Sequence, residues 1–238
     1  MRNTVTSRKA GKKLIFLALL LSILGAYLWM GIINKMKELS PLEVNEATAV
    51  ETLRTIQAAE AMFRCTAMAG TGRSDFWTYD VSGMYRIMKG KVPCEVLTWA
   101  IAKSDAAWHK DYTFGEGRTQ DWNPISHTLG ANSGYYVRAM LTDEEGNPYN
   151  KNVYSGTAVA CANDYDFAFV AYPAEYGKSG IRTFIINQEG YIYYADCGSD
   201  ADKIVLQWPG KDPAKVKSQG GEYWNVQPWT WTETPEEK

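Results

Sequence analysis

Twenty consecutive residues without a charge, Leu14 to Ile33, follow a basic N-terminal tail, and no other feature constrains the fold of this chain as strongly. A helix of about 20 apolar residues crosses the hydrocarbon core of a bilayer. The preceding tail carries Arg2, Arg8, Lys9, Lys12 and Lys13 and no acid. Basic flanks stay on the cytoplasmic side, which places the N-terminus inside and the rest of the chain outside. A cleavable secretory signal has a shorter apolar core, about 7–15 residues, followed by small residues. Here the best cut, after Ala26, has Leu24 where a small residue is wanted. The expectation is a cytoplasmic basic tail over residues 1–13, an uncleaved single-pass anchor over 14–33, an extracytoplasmic domain over 34–228 and a flexible tail over 229–238.

The outer part has room for a sizeable core. A formal net charge of −2 offers no basic face to nucleic acid. All four cysteines, Cys65, Cys94, Cys161 and Cys197, follow the anchor. An even count outside the cytoplasm predicts two disulfides. Three pairings are open, and chain proximity favours Cys65–Cys94 with Cys161–Cys197. No two cysteines stand at a Cys-x-x-Cys spacing, so neither a metal nor another cofactor is expected.

Ser40-Pro41-Leu42-Glu43 has the form of a capping box with proline at the first helical position. Apolar Val50, Leu53, Ile56 and Phe63 then recur every three or four residues, which predicts an amphipathic helix to about Met68. A second helix is expected over Glu95–Trp108, preceded by a helical turn over Ser82–Met88. Residues 109–133 keep no period and read as a long loop. Strands are expected over Tyr135–Thr142, Asp166–Tyr172, Ile181–Ile186 and Tyr191–Ala195, the last two joined through Asn187-Gln188-Glu189-Gly190 as a hairpin. The sum is an α+β fold: an N-terminal transmembrane helix, then a long amphipathic helix packed on an antiparallel sheet.

No catalytic spacing stands out, and the chain is not expected to be an enzyme. His109 and His127 lie in the loop without a nucleophile beside them. Ser133 lacks the Gly-x-Ser-x-Gly frame of a nucleophile elbow. Asp196, Asp200 and Asp202 cluster near a strand end, but their spacing does not match an EF-hand loop. The loop is the candidate partner surface, with Trp108, His109, Trp122 and His127 as its residues.

The order of basic tail, apolar helix, helical continuation over Asn45–Glu60, loop, sheet and late cysteines resembles type IV pilins and pseudopilins. The resemblance implies a pilin-like outer domain and contact with other envelope or pilin-like proteins. It departs at the processing site, because with Gly11 as the cut glycine Phe16 stands where those proteins carry a glutamate. Ser133-Gly134-Tyr135-Tyr136-Val137-Arg138, the stretch Phe167–Gly180, and Thr183–Gly190 with Tyr191-Ile192-Tyr193 resemble a family of uncharacterised bacterial envelope proteins. That resemblance implies a bacterial envelope location and brings no activity; with the anchor and its basic flank, the expected location is the bacterial cytoplasmic membrane. The expected role is structural or interactive. The alternative is an anchored module that binds sugar or peptide through the loop aromatics.

Overall fold

In a computed structural model of the chain, the residues described are 39–65, 74–78, 80–86, 88–89, 92–93, 95–106, 129–150, 162–218 and 220–227. The chain divides into two compact units, Met1–Ser40 and Pro41–Lys238, and the following concerns the second. The expected tail 1–13, anchor 14–33 and C-terminal tail 229–238 lie outside the described residues. So does the end of the first helix beyond residue 65.

Helix α1 runs Pro41–Cys65, with Glu43 in its first turn and Arg64 in its last, where each complements the helix dipole. Short elements follow: β1 (Phe76–Trp77), α2 (Gly83–Arg86), β2 (Met88–Lys89), β3 (Val92–Pro93) and α3 (Trp99–Ala102). The main sheet comprises β4 (Tyr135–Ala139), β6 (Ala168–Pro173), β7 (Arg182–Asn187), β8 (Ile192–Asp196) and β9 (Asn225–Val226), antiparallel in the order β4-β6-β7-β8-β9. The two-residue β5 (Ala162–Asn163) pairs with β1, and α4 (Ala201–Ile204) follows β8.

The sheet is covered on both faces, which explains its composition. On one side Phe169 and Ala171 of β6 and Phe184 and Ile186 of β7 meet Val50, Leu53, Ile56 and Phe63 of α1. On the other, Ala168, Val170 and Ile185 meet Met140, Tyr149, Val205, Trp208 and Trp224. Successive strand residues point to opposite faces, so a strand buried on both sides is apolar throughout rather than alternating. All six residues of β6 are buried accordingly.

The turns carry the register. Ser133 and Gly134 both have positive φ, 46° and 75°, and Tyr135 N donates to Asn132 O at 3.0 Å. Two left-handed central residues give a type I′ turn that leads into β4. Between β7 and β8 the turn closes through Gly190 N to Asn187 O at 3.0 Å, with Gly190 at φ +84°.

The expected fold class is overturned. Apart from α1 the described residues form mostly an antiparallel five-stranded sheet with short helices, and they do not show a membrane helix continued by a cleanly amphipathic one in the pilin manner. Among the described residues no helix is long and apolar enough to cross a membrane. Helix α1 does not carry the clean apolar stripe that was expected, because its buried side includes Glu46, Thr52 and Glu60. The helix expected over Glu95–Trp108 shrinks to Trp99–Ala102 among the residues described. Ser104 Oγ donates to Ile101 O at 2.7 Å, and Asp105 turns away to accept from Val81 N and Ser82 N at 2.9 and 2.7 Å. Short polar side chains that bond backbone groups in this way compete with helix propagation.

Candidate functional site

Tyr136 and Arg138 alternate with buried Tyr135, Val137 and Ala139 along β4, so both belong to the sheet face opposite α1. In register, Tyr136 stands opposite Tyr172 and Arg138 opposite Val170. A cleft of about 440 Å³ opens over these residues. Tyr136, Arg138 and Tyr172 line it from the sheet, with Pro173 and Ala174 where β6 ends. The segment from Gly198 through Ala201, with Lys203 of α4, forms the facing wall, and Ala106 and Leu129 complete it.

The cleft combines an aromatic wall with a cation. The Tyr136 and Tyr172 rings sit 6.0 Å apart with planes at 55°, an inclined packing that suits aromatic quadrupoles. Arg138 Nε is buried and has no hydrogen-bond partner. Lys203 is committed differently: its Nζ is 3.1 Å from Asp200 Oδ1, an exposed pair. Asp196, just before this wall, accepts from the Tyr176 hydroxyl at 2.8 Å and from Gly198 N at 2.9 Å. The Asp196 hydrogen bond is the first cause that pushes the Tyr176 phenol up. Asp196 is thus a turn-forming carboxylate, and among the described residues no group of His, Cys, Asp and Glu could hold a metal ion.

A second cleft of about 340 Å³ lies between Arg54 and Gln57 of α1 and the turn at Glu189–Ile192, with Gln227 at its side. Its cation is spent locally, since Arg54 pairs with Glu51 one turn earlier.

Buried carboxylates form the other polar concentration. Glu60 is fully buried, and its Oε2 accepts from Trp77 N at 2.8 Å while Oε1 has no partner. Desolvation pushes its carboxyl well above the usual range, opposed by the Trp77 bond. Asp80 accepts from Trp77 Nε1 at 3.0 Å and from Gly83 N at 2.9 Å, and bonds the Ser82 hydroxyl. These acids fasten the 75–83 segment to the core and do not line either cleft.

The residues expected to form a partner surface, Trp108, His109, Trp122 and His127, lie outside the described residues, as do Cys94 and Cys161. Cys65 and Cys197 are free thiols, the first exposed and the second buried. The expected pairs through Cys65 and Cys197 are therefore not formed in this structure. Cys197 sits at the end of β8 in the core layer with Ala195 and Trp208, and burial pushes its thiol up to about 11. The sequence reading missed Arg138, although it lies in a quoted motif. The signal was a lone arginine sharing the Tyr136 register of β4, alternating with the buried Tyr135, Val137 and Ala139.

Residues 96–218 match the family described as Protein of unknown function (DUF2950). No curated protein and no solved structure matches the chain at a significant level.

Proposed function

We propose that this chain, which belongs to the DUF2950 family, is a tethered binding module of the bacterial envelope, held by residues 14–33 and using the cleft beneath Tyr136 and Tyr172. One observation carries the reading: the described residues lining that cleft all lie between 106 and 203, inside the family segment 96–218. The second cleft draws Arg54, Gln57 and Gln227 from outside it. The described lining of this recess thus comes from the family segment, and its size suits a small ligand. The basic tail and the uncharged run Leu14–Ile33 support the tether and its orientation.

Both parts are open to test. In right-side-out membrane vesicles a membrane-impermeant maleimide is expected to label exposed Cys65 of a variant whose other three cysteines are serine, and to miss it in inside-out vesicles. Labelling confined to the opposite orientation overturns the topology. For binding, the full chain in detergent is screened by thermal shift against small organic acids, amines and neutral sugars. Saturable stabilisation by one class, lost with Tyr136→Ala, supports the cleft, and no shift from any class removes it.

A further inference from the structure

We infer that Glu60 is a pH-sensitive latch: protonated, it lets segment 75–83 close over α1, and ionised, it drives that segment to open locally while the main sheet stays folded. Glu60 is 0% exposed, and its Oε2 accepts from the backbone N–H of Trp77 at 2.8 Å. Oε1 is equally buried and has no partner. Trp77 is 2% exposed and sets its ring edge-on to Phe63 at 5.8 Å, one turn of α1 beyond Glu60, so β1 covers both side chains. That strand is short: it pairs with β5 over two residues, Phe76 with Asn163 and Trp77 with Ala162.

An ionised carboxyl in this place gives up its hydration and receives one hydrogen bond, far less than a buried charge needs. Two routes return it to water, unfolding of the whole chain or lifting of the segment that covers it. The second exposes much less apolar surface and is therefore the easier. The charged groups nearby do not relieve the ionised form. Among the described residues they are Arg64 of α1, Asp75 and Asp80 of the covering segment, Asp105, and Asp164 after β5. Arg64 lies over the Phe76 ring at 4.5 Å, and Asp105 accepts from Val81 N and Ser82 N. On the sheet side β6 and β7 turn Phe169, Ala171, Phe184 and Ile186 toward α1, while Arg182 of β7 is held by Glu46 at 3.5 Å. Burial, opposed by the Trp77 bond, is what pushes the Glu60 carboxyl up.

The test is native-state hydrogen exchange of the full chain in detergent, between pH 5 and 8 and over a range of low urea concentrations. It is read at the amides of Trp77, Val81, Ser82 and Gly83, which donate to Glu60, Asp105, Asp105 and Asp80, and at the amides of β6 and β7. After correction for intrinsic exchange, protection of the segment is expected to lie below that of the sheet and to depend little on urea. It is expected to fall by up to about tenfold for each pH unit above pH 5. In Glu60→Gln, which keeps an acceptor for Trp77 N, it is expected to stay level with pH. Segment amides that share the protection and urea dependence of β6 and β7 overturn the inference, because Glu60 then titrates only with global unfolding. Segment protection that ignores pH, or that falls equally in Glu60→Gln, overturns it as well. The first two comparisons use the unaltered protein and hold even where the substitution perturbs folding.

Discussion

Glu46 and Arg182, 136 positions apart, join helix α1 to the first residue of β7. Glu46 Oε1 accepts from Ile181 N at 3.1 Å and Arg182 N at 3.2 Å, while Oε2 lies 3.5 Å from the Arg182 guanidinium. The guanidinium in turn lies over the Tyr194 ring at 4.8 Å. Next to it, Asn45 Nδ2 donates to Ser179 O at 2.9 Å and the Tyr135 hydroxyl donates to Arg182 O at 2.9 Å. Glu46 is the buried member, and the two backbone donors it satisfies belong to the strand start. Glu46→Ala leaves those donors and a guanidinium without their acceptor. The expected loss is about 2–4 kcal/mol by urea denaturation. Glu46→Gln keeps one acceptor oxygen and should lose roughly half as much. Equal losses for both would show that charge, not the acceptor, matters here.

Gly180 faces the Tyr135 ring so closely that a Cβ there would overlap its hydroxyl and ring carbons. Gly180→Ala is expected to destabilise by about 1–3 kcal/mol through overpacking. Tyr135→Phe should not rescue it, since the ring carbons remain in the way. A Gly180→Ala protein as stable as the parent would place the ring elsewhere in solution. The exposed Gly177 is the contrast: nothing lies within 4 Å of its Cβ position, and its φ of +76° alone makes a side chain unfavourable.

Glu60 gives the chain a pH dependence of definite sign. Burial raises its folded pKa, so the folded state holds the proton more tightly than the unfolded chain does. Its contribution is most favourable below the unfolded value of about 4.3 and is lost as pH rises from there toward the folded pKa, by up to about 1.4 kcal/mol per unit. Glu60→Gln, which keeps an acceptor for Trp77 N, should flatten that slope and gain over the parent at alkaline pH. Denaturation midpoints between pH 5 and 9 would check it, and parallel slopes for the two proteins would refute it.

The two described cysteines should differ sharply in reactivity. Cys65 is exposed and Cys197 is buried with its thiol pushed up to about 11. The thiolate is the reacting form. With maleimide at neutral pH, peptide mapping should find Cys65 modified rapidly and Cys197 only after unfolding. If Cys197 stays unmodified in denaturant until reductant is added, it is paired in the isolated protein.

Helix α1 was legible from its proline, its first-turn glutamate and its three-to-four spacing, because those are local signals of backbone capping and side-chain periodicity. The hairpin at Asn187–Gly190 was legible for the same reason. Expecting a clean apolar stripe on α1 failed at Glu46 and Glu60, because a glutamate in a periodic sequence reads as solvent-facing unless its acceptor partners are known. Those partners lie far along the chain, at Ile181, Arg182 and Trp77. The helix expected after Glu95 failed for a related reason, since Asp105 is drawn to the backbone of Val81 and Ser82.

The candidate site shows the same division. Tyr136, Arg138, Tyr172 and Pro173 stand in motifs that were visible at once, yet spacing along two strands does not say which face is enclosed. The antiparallel register that sets Tyr136 against Tyr172, and the return of the chain at Gly198–Lys203, make a recess around Arg138. By itself the sequence determined the uncharged run and its basic flank, the start of α1 and the strand-turn-strand order, since these follow from nearest-neighbour chemistry. Among the described residues, tertiary structure alone decided which carboxylates are buried, that Cys65 and Cys197 stand unpaired and that the Arg138 Nε is buried without an acceptor, since each depends on groups brought together from distant parts of the chain.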